Sequence, residues 1–169
     1  MAVIFTSERL LFREFTTRDV ELVRELNSDP EVTRYVHDST ISWEPVEIIK
    51  KVIVPQYRLY NHGRWAVHLK DNMEFIGWCG LKRRPEYNYV DLGYRFMKRY
   101  WGHGYATEAA TACLRYGIGV LKLTRIFAMA HLENSASWKV LEKSGMQYIG
   151  DSQVDNMPVR TYEILAPNS

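Results

Sequence analysis

Arg99-Tyr100-Trp101-Gly102-His103-Gly104-Tyr105-Ala106 is the stretch on which the reading of this chain turns. It follows a predicted strand over residues 89–97 and opens a predicted helix over 105–117. Glycines at 102 and 104 let backbone amides approach an anion without side-chain obstruction. The helix adds unpaired N–H groups and the positive end of its dipole, worth roughly 0.3–2 kcal/mol for a bound anion. A bare two-glycine turn also fits an ordinary structural turn, so its flanks must decide. The dinucleotide fingerprint needs a further glycine where Thr107 stands, and a P-loop needs Gly-Lys-Ser/Thr where the chain has Gly104-Tyr105-Ala106.

Working outward, Ala106, Ala109, Ala110, Cys113 and Leu114 share a small-residue helix face able to lie close against a sheet. Residues 64–70, 74–82 and 89–97 read as consecutive strands of a meander. Residues 124–130 form the next strand, 135–144 a short helix with Gly145 as its C′ residue, and 146–152 and 159–165 two last strands. Toward the N-terminus, 9–15 is a strand, and Thr16 or Thr17 caps a helix with Val20, Leu22, Val23 and Leu26 on one face. Pro30 starts a second short helix, and residues 42–60 form a third that Pro55 should kink or divide. The order is α/β, and with no repeat or linker the 169 residues read as one domain.

Composition narrows the classes. Apolar residues make up 46% and charged residues 25%, as in ordinary globular chains, and the net charge of +2 is too small to argue for nucleic acid or an anionic membrane. Lys82-Arg83-Arg84 reads as a solvated turn cluster. No window approaches a membrane span, no basic n-region or apolar run marks a signal peptide, and the histidines lack metal-ligand spacing. Cys79 and Cys113, each in an apolar stretch, read as buried free thiols, which suits a cytoplasmic protein.

The pattern Arg99, Gly102, Gly104, followed after one strand by Asn134-Ser135-Ala136-Ser137 and Val140 to Met146, resembles the GNAT superfamily of N-acetyltransferases. Ser7 to Arg13, Ile76-Gly77 and Leu92-Gly93-Tyr94 are similar to its branch of ribosomal-protein N-terminal (alanine) acetyltransferases. The resemblance covers nearly the whole chain and is more specific for fold and cofactor than for substrate. It implies a mixed, mostly antiparallel sheet with a V-shaped splay and helices on both faces. Acetyl-CoA would be the co-substrate, with no metal. Arg99, Gly102, His103, Gly104, Tyr105 and Ala106 would hold the pyrophosphate, Phe96 or Met97 would offer pantetheine amides, and Asn134 would orient the pantetheine.

Direct transfer to an amine needs a base, an oxyanion donor and an acid for the leaving thiolate, but no nucleophile, so both cysteines should be dispensable. Asp91 is the candidate base, at a position where many such enzymes carry glutamate; its other reading is a carboxylate paired with Arg95 or Arg64. Ser137 is the candidate acid, because Leu141 stands where many relatives have tyrosine; its other reading is a helix N-terminal serine. Lys98 also stands where the branch sometimes has glutamate, and Glu108 reads as structural. Tyr35, His37, Trp43 and Trp78 are candidates for the acceptor pocket or for packing. The acceptor would be a protein N-terminus or a small-molecule amine, with a non-catalytic acyl-CoA sensor as the competing class. An exposed final strand would permit a homodimer.

Overall fold

The computed structural model describes residues 2–36 and 38–167. Eight strands form one sheet in the order β1-β2-β3-β4-β5-β6-β8-β7. They are β1 Val3–Thr6, β2 Leu10–Arg13, β3 Arg64–Leu69, β4 Phe75–Arg84, β5 Tyr89–Phe96, β6 Arg125–His131, β7 Gln147–Val154 and β8 Met157–Leu165. Every neighbouring pair is antiparallel except β5 and β6, which run parallel and meet through Asp91 and Phe127 alone. Beyond that bridge the two strands part, and the sheet opens into the V.

Helix α4 (Tyr105–Gly119) covers one face of β4 and β5. Ala109, Ala110, Cys113, Leu114 and Gly117 are its buried residues, the small-residue face expected from sequence. A Cβ on Gly117 would come within 2.7 Å of Leu81 Cδ1 and 2.9 Å of Ile126 Cδ1, so glycine sets how closely this helix lies. The thiols of Cys79 and Cys113 are free and buried, their sulfurs 3.5 Å apart. Helix α5 (Ser135–Lys143) lies on β6 and β7 and touches α4.

The opposite side carries α1 (Val20–Ser28), α2 (Pro45–Ile48) and α3 (Val54–Tyr60). Pro55, which lacks an N–H, stands in the first turn of α3, where the run is divided as the sequence suggested. A π-turn over Ile49–Ile53 joins α2 to α3, the wider i→i+5 spacing absorbing the irregularity. The helix expected after Pro30 is absent: residues 30–35 are turns, held by bonds such as Val32 N–H to Asp29 O at 3.0 Å.

Three further expectations are corrected. β1 has no counterpart in the sequence reading; Phe5 fixes it by stacking on Phe12 and on Tyr116 of α4. The last strand, β8, is internal, and the edges of the sheet are β1 and β7. Lys82, Arg83 and Arg84 are the end of β4 rather than a turn, and Lys82 and Arg84 are half-buried. No helix among the described residues is long and apolar enough to cross a membrane.

Candidate active site

The turn at 99–106 is built as an anion cradle. After a single 3₁₀ turn (Lys98–Tyr100) the chain passes Gly102 at φ 81° and Gly104 at φ 80°, both left-handed, and enters α4 at Tyr105. Any other residue there costs roughly 1–2 kcal/mol. A Cβ on Gly102 would meet nothing within 4 Å, so its outer side is open. The amides of Gly102, His103 and Gly104 donate to no other group among the described residues. Those of Tyr105, Ala106 and Thr107 lie in the first turn of α4, where no intrahelical acceptor exists. The Arg99 side chain is exposed beside the turn, paired with Glu25 at 3.2 Å.

Arg9, unmarked by the sequence reading, braces this cradle. Its Nη1 donates to the His103 carbonyl (2.9 Å), its Nε to Glu108 Oε1 (2.7 Å), and its guanidinium lies 4.4 Å from the Tyr105 ring centre. Glu108 Oε2 also accepts from Ser7 Oγ and the Arg9 amide. Burial pushes the Glu108 carboxyl up, but these bonds outweigh it and hold it below the usual range. Its role is structural, as the sequence suggested.

β5 leads from the cradle into the splay. Met97 donates its amide to the Ile76 carbonyl of β4 (2.9 Å), and its carbonyl accepts from Tyr100, so Met97 has no amide left for a ligand. The neighbouring residue of an antiparallel strand points the other way, so the Phe96 amide faces the splay; its carbonyl accepts from the Trp101 indole (2.8 Å). Across the gap, Asn134 caps α5 by accepting from the Ser137 amide through Oδ1. The Ser137 hydroxyl lies 2.6 Å from the Tyr94 hydroxyl of β5, a contact the sequence did not reveal. Burial raises the Tyr94 hydroxyl well above its ordinary value of 10.0, so it stays protonated at neutral pH. Leu141 is buried in the core.

On the other side of β5 a cavity of about 230 Å³ lies beneath the α1–α2 loop. Its floor is the sheet face bearing Arg64 of β3, Trp78 and Lys82 of β4, and Asp91 and Arg95 of β5. Asp91 is buried, with one oxygen bound to Arg64 Nη2 (2.7 Å) and the other to Arg84 Nε. Burial pushes its carboxyl up, yet the two guanidinium groups prevail and hold it below the usual range. Gly93 makes this possible, since a Cβ there would land on the Arg64 guanidinium. Tyr35 lines the cavity and reaches across to the His131 ring (5.1 Å) and the Glu133 carbonyl (3.4 Å). Trp78 lines it beneath Arg95, whereas Trp43 lies outside it, 41% exposed. His37 falls outside the described residues. No group of three or more His, Cys, Asp or Glu among the described residues is arranged to hold a metal.

Comparison with known proteins agrees with this layout. Residues 9–147 match the family model of the acetyltransferase (GNAT) domain. The uncharacterised N-acetyltransferase YnaD of Bacillus subtilis is 35% identical over 86% of this chain and 83% of its own length. The uncharacterised protein YkkB of the same organism is 38% identical, but the match spans 62% of each chain. A GNAT-family acetyltransferase structure from Bacillus anthracis superposes with a TM-score of 0.80 at 30% identity, covering 97% of this chain and 98% of that one. Cradle, splay, capping asparagine and cavity thus occur in a chain that belongs to the GNAT family of acetyl-CoA-dependent acetyltransferases.

Proposed function

We propose that this protein transfers acetyl directly from acetyl-CoA to a primary amine of a small molecule, in a ternary complex. The supporting observation is the splay of β5: one strand joins an open anion cradle at its C-terminal end to a half-open cavity across its face. At about 230 Å³ the cavity falls below the ~300–1,000 Å³ of drug-sized sites, which favours a small amine over the protein N-terminus suggested by branch resemblance.

Amides 102–107 hold the pyrophosphate, the Phe96 amide and Asn134 steady the pantetheine, and the thioester reaches the Tyr94–Ser137 pair. The amine nitrogen attacks the thioester carbon, the C–N bond forms, and the C–S bond breaks to release the thiolate. The thiolate takes a proton from the Ser137 hydroxyl, which is restored from Tyr94, and Tyr94 recovers the proton the amine gives up. Asp91 is assigned to positioning. With both oxygens bound to guanidinium groups it is a weak proton acceptor, and it anchors Arg64 and Arg84 instead. The cations it anchors make ammonium unfavourable in the cavity, which lowers the acceptor's own pKa.

Calorimetric titration with acetyl-CoA tests the donor site: the wild type binds and Gly104→Glu does not. Thiol release with an amine panel then separates enzyme from sensor. Undiminished binding by Gly104→Glu would remove the cradle assignment, and no release with any amine would leave the sensor reading.

A further inference from the structure

The charges around the cavity do not balance locally. Arg64, Lys82, Arg84 and Arg95 line it together with Asp38, Asp91 and Asp155. Asp91 is consumed by Arg64 and Arg84. Asp38 accepts from the Thr40 amide at 2.9 Å, and Asp155 is exposed on the β7–β8 turn. Lys82 and Arg95 are therefore left without a carboxylate within ion-pair distance. The Lys82 ammonium makes no hydrogen bond to another described residue. Arg95 donates through Nη1 to Asn27 Oδ1 (2.5 Å), and its guanidinium carbon lies 4.5 Å from the Trp78 ring centre. In register, Lys82 faces Asp91 and Trp78 faces Arg95, so both cations project from the face that forms the cavity floor.

Half-buried cations without counter-ions are costly, and a fold tolerates them where a ligand supplies the missing charge. Burial and the neighbouring Arg64 and Arg84 push the Lys82 ammonium down, while burial and Arg64 bring Arg95 to about 10. Asp38, and for Lys82 also Asp91, pull both groups upward, but neither carboxylate forms an ion pair with them and burial with the neighbouring cations prevails. Arg95 offers a planar fork suited to a carboxylate and Lys82 a point charge.

We infer that the acceptor is a small amine that itself carries a carboxylate, of amino-acid type, and that Arg95 and Lys82 bind that carboxylate while the amine points toward the splay. This inference rests on the acetyl-transfer reading and deepens it. It excludes polycations such as polyamines and aminoglycosides, which the same charges repel, and a peptide N-terminus, whose first carboxyl is already an amide.

The test pairs each standard amino acid with its own C-terminal amide, beside spermidine, kanamycin and a peptide, in a thiol-release assay. At least one free acid should exceed its amide about 10–100-fold in kcat/KM, the range expected for hydrogen bonds to a charged group. Arg95→Gln and Lys82→Gln should each raise KM for that acid and not raise KM for its amide. A merely structural role would move both. A second arm needs no turnover: with CoA bound, the N-acetylated amino acids and their amides are titrated against tryptophan fluorescence, which Trp78 beneath Arg95 should report. Equal use of acid and amide, preference for spermidine, kanamycin or the peptide, or equal binding of both product forms overturns the inference. Acid-selective binding without turnover of any amine would instead sink the acetyl-transfer reading and leave only the carboxylate site at Arg95 and Lys82 standing.

Discussion

At the scale of single residues, Asp91 and Tyr94 stand three positions apart on one strand yet have opposite consequences when changed. Asp91→Asn removes the negative charge that compensates two half-buried guanidinium groups. A loss of roughly 3–5 kcal/mol is expected in denaturant unfolding, while the pH dependence of kcat in the folded fraction is retained. Tyr94→Phe keeps the ring and deletes the hydroxyl facing Ser137. It should unfold close to wild type but lose about 10²–10⁴-fold in kcat, the usual range for proton-transfer groups. An Asp91→Asn protein that is stable but nearly inactive would return the base role to that carboxylate. The sequence carried one part of this pair's chemistry: Arg64 was already an alternative partner for Asp91. Arg84 was not, because its basic cluster resembles a solvated turn until β4 is known to run through it. The Tyr94–Ser137 contact spans 43 positions, and no local pattern encodes it.

Local elements were more legible where backbone conformation is dictated by residue type. Gly102 and Gly104 are required by their positive φ, and the helix that follows shows its packing face directly in the spacing of alanines. Gly102→Ala isolates the conformational part of the cradle, because the added methyl meets no neighbour. Unfolding stability should drop by about 1–2 kcal/mol and acetyl-CoA should bind several-fold more weakly by calorimetry. A change in neither would mean that the turn is not held in its left-handed form. Elements shaped by tertiary contact were misread. Pro30 introduces turns rather than a helix. β1 is only four residues long and gains its place through Phe5, whose partners lie in β2 and α4.

Across the whole molecule, a buried polar chain ties the first helix to the sheet. His68 of β3 donates through Nδ1 to the Met73 carbonyl and accepts at Nε2 from Arg13, which makes a two-pronged pair with Asp19. Asp19 in turn accepts from the Thr16 amide. His62 donates through Nδ1 to the Leu81 carbonyl. Burial lowers both imidazoles below the ordinary 6.5, against the pull of these carbonyls. The unfolded chain therefore binds more protons, and stability falls as pH drops below about 6.5, by at most ~1.4 kcal/mol per pH unit for each histidine. Asp19 is shifted down: its hydrogen bonds from Arg13 and Thr16 overcome burial, so its contribution is lost only at pH values below the ordinary 3.8. Unfolding measured at pH 7.5, 6.5 and 5.5 should show the histidine loss, reduced in a His62→Gln, His68→Gln double variant. A flat wild-type profile over that range would contradict it. None of this network could be read from sequence, since its members come from segments that meet only when the sheet is assembled.

The brace of Arg9 and Ser7 on Glu108 joins residues about 100 positions apart. On the ribosome, the first hairpin leaves the tunnel long before α4 is synthesised, and its side chains must wait for their acceptor. The cradle consequently gains its brace late, when the middle of the chain closes back on its beginning. A braced cradle therefore exists only once synthesis has passed α4, at the seam where the earliest and later-made segments meet.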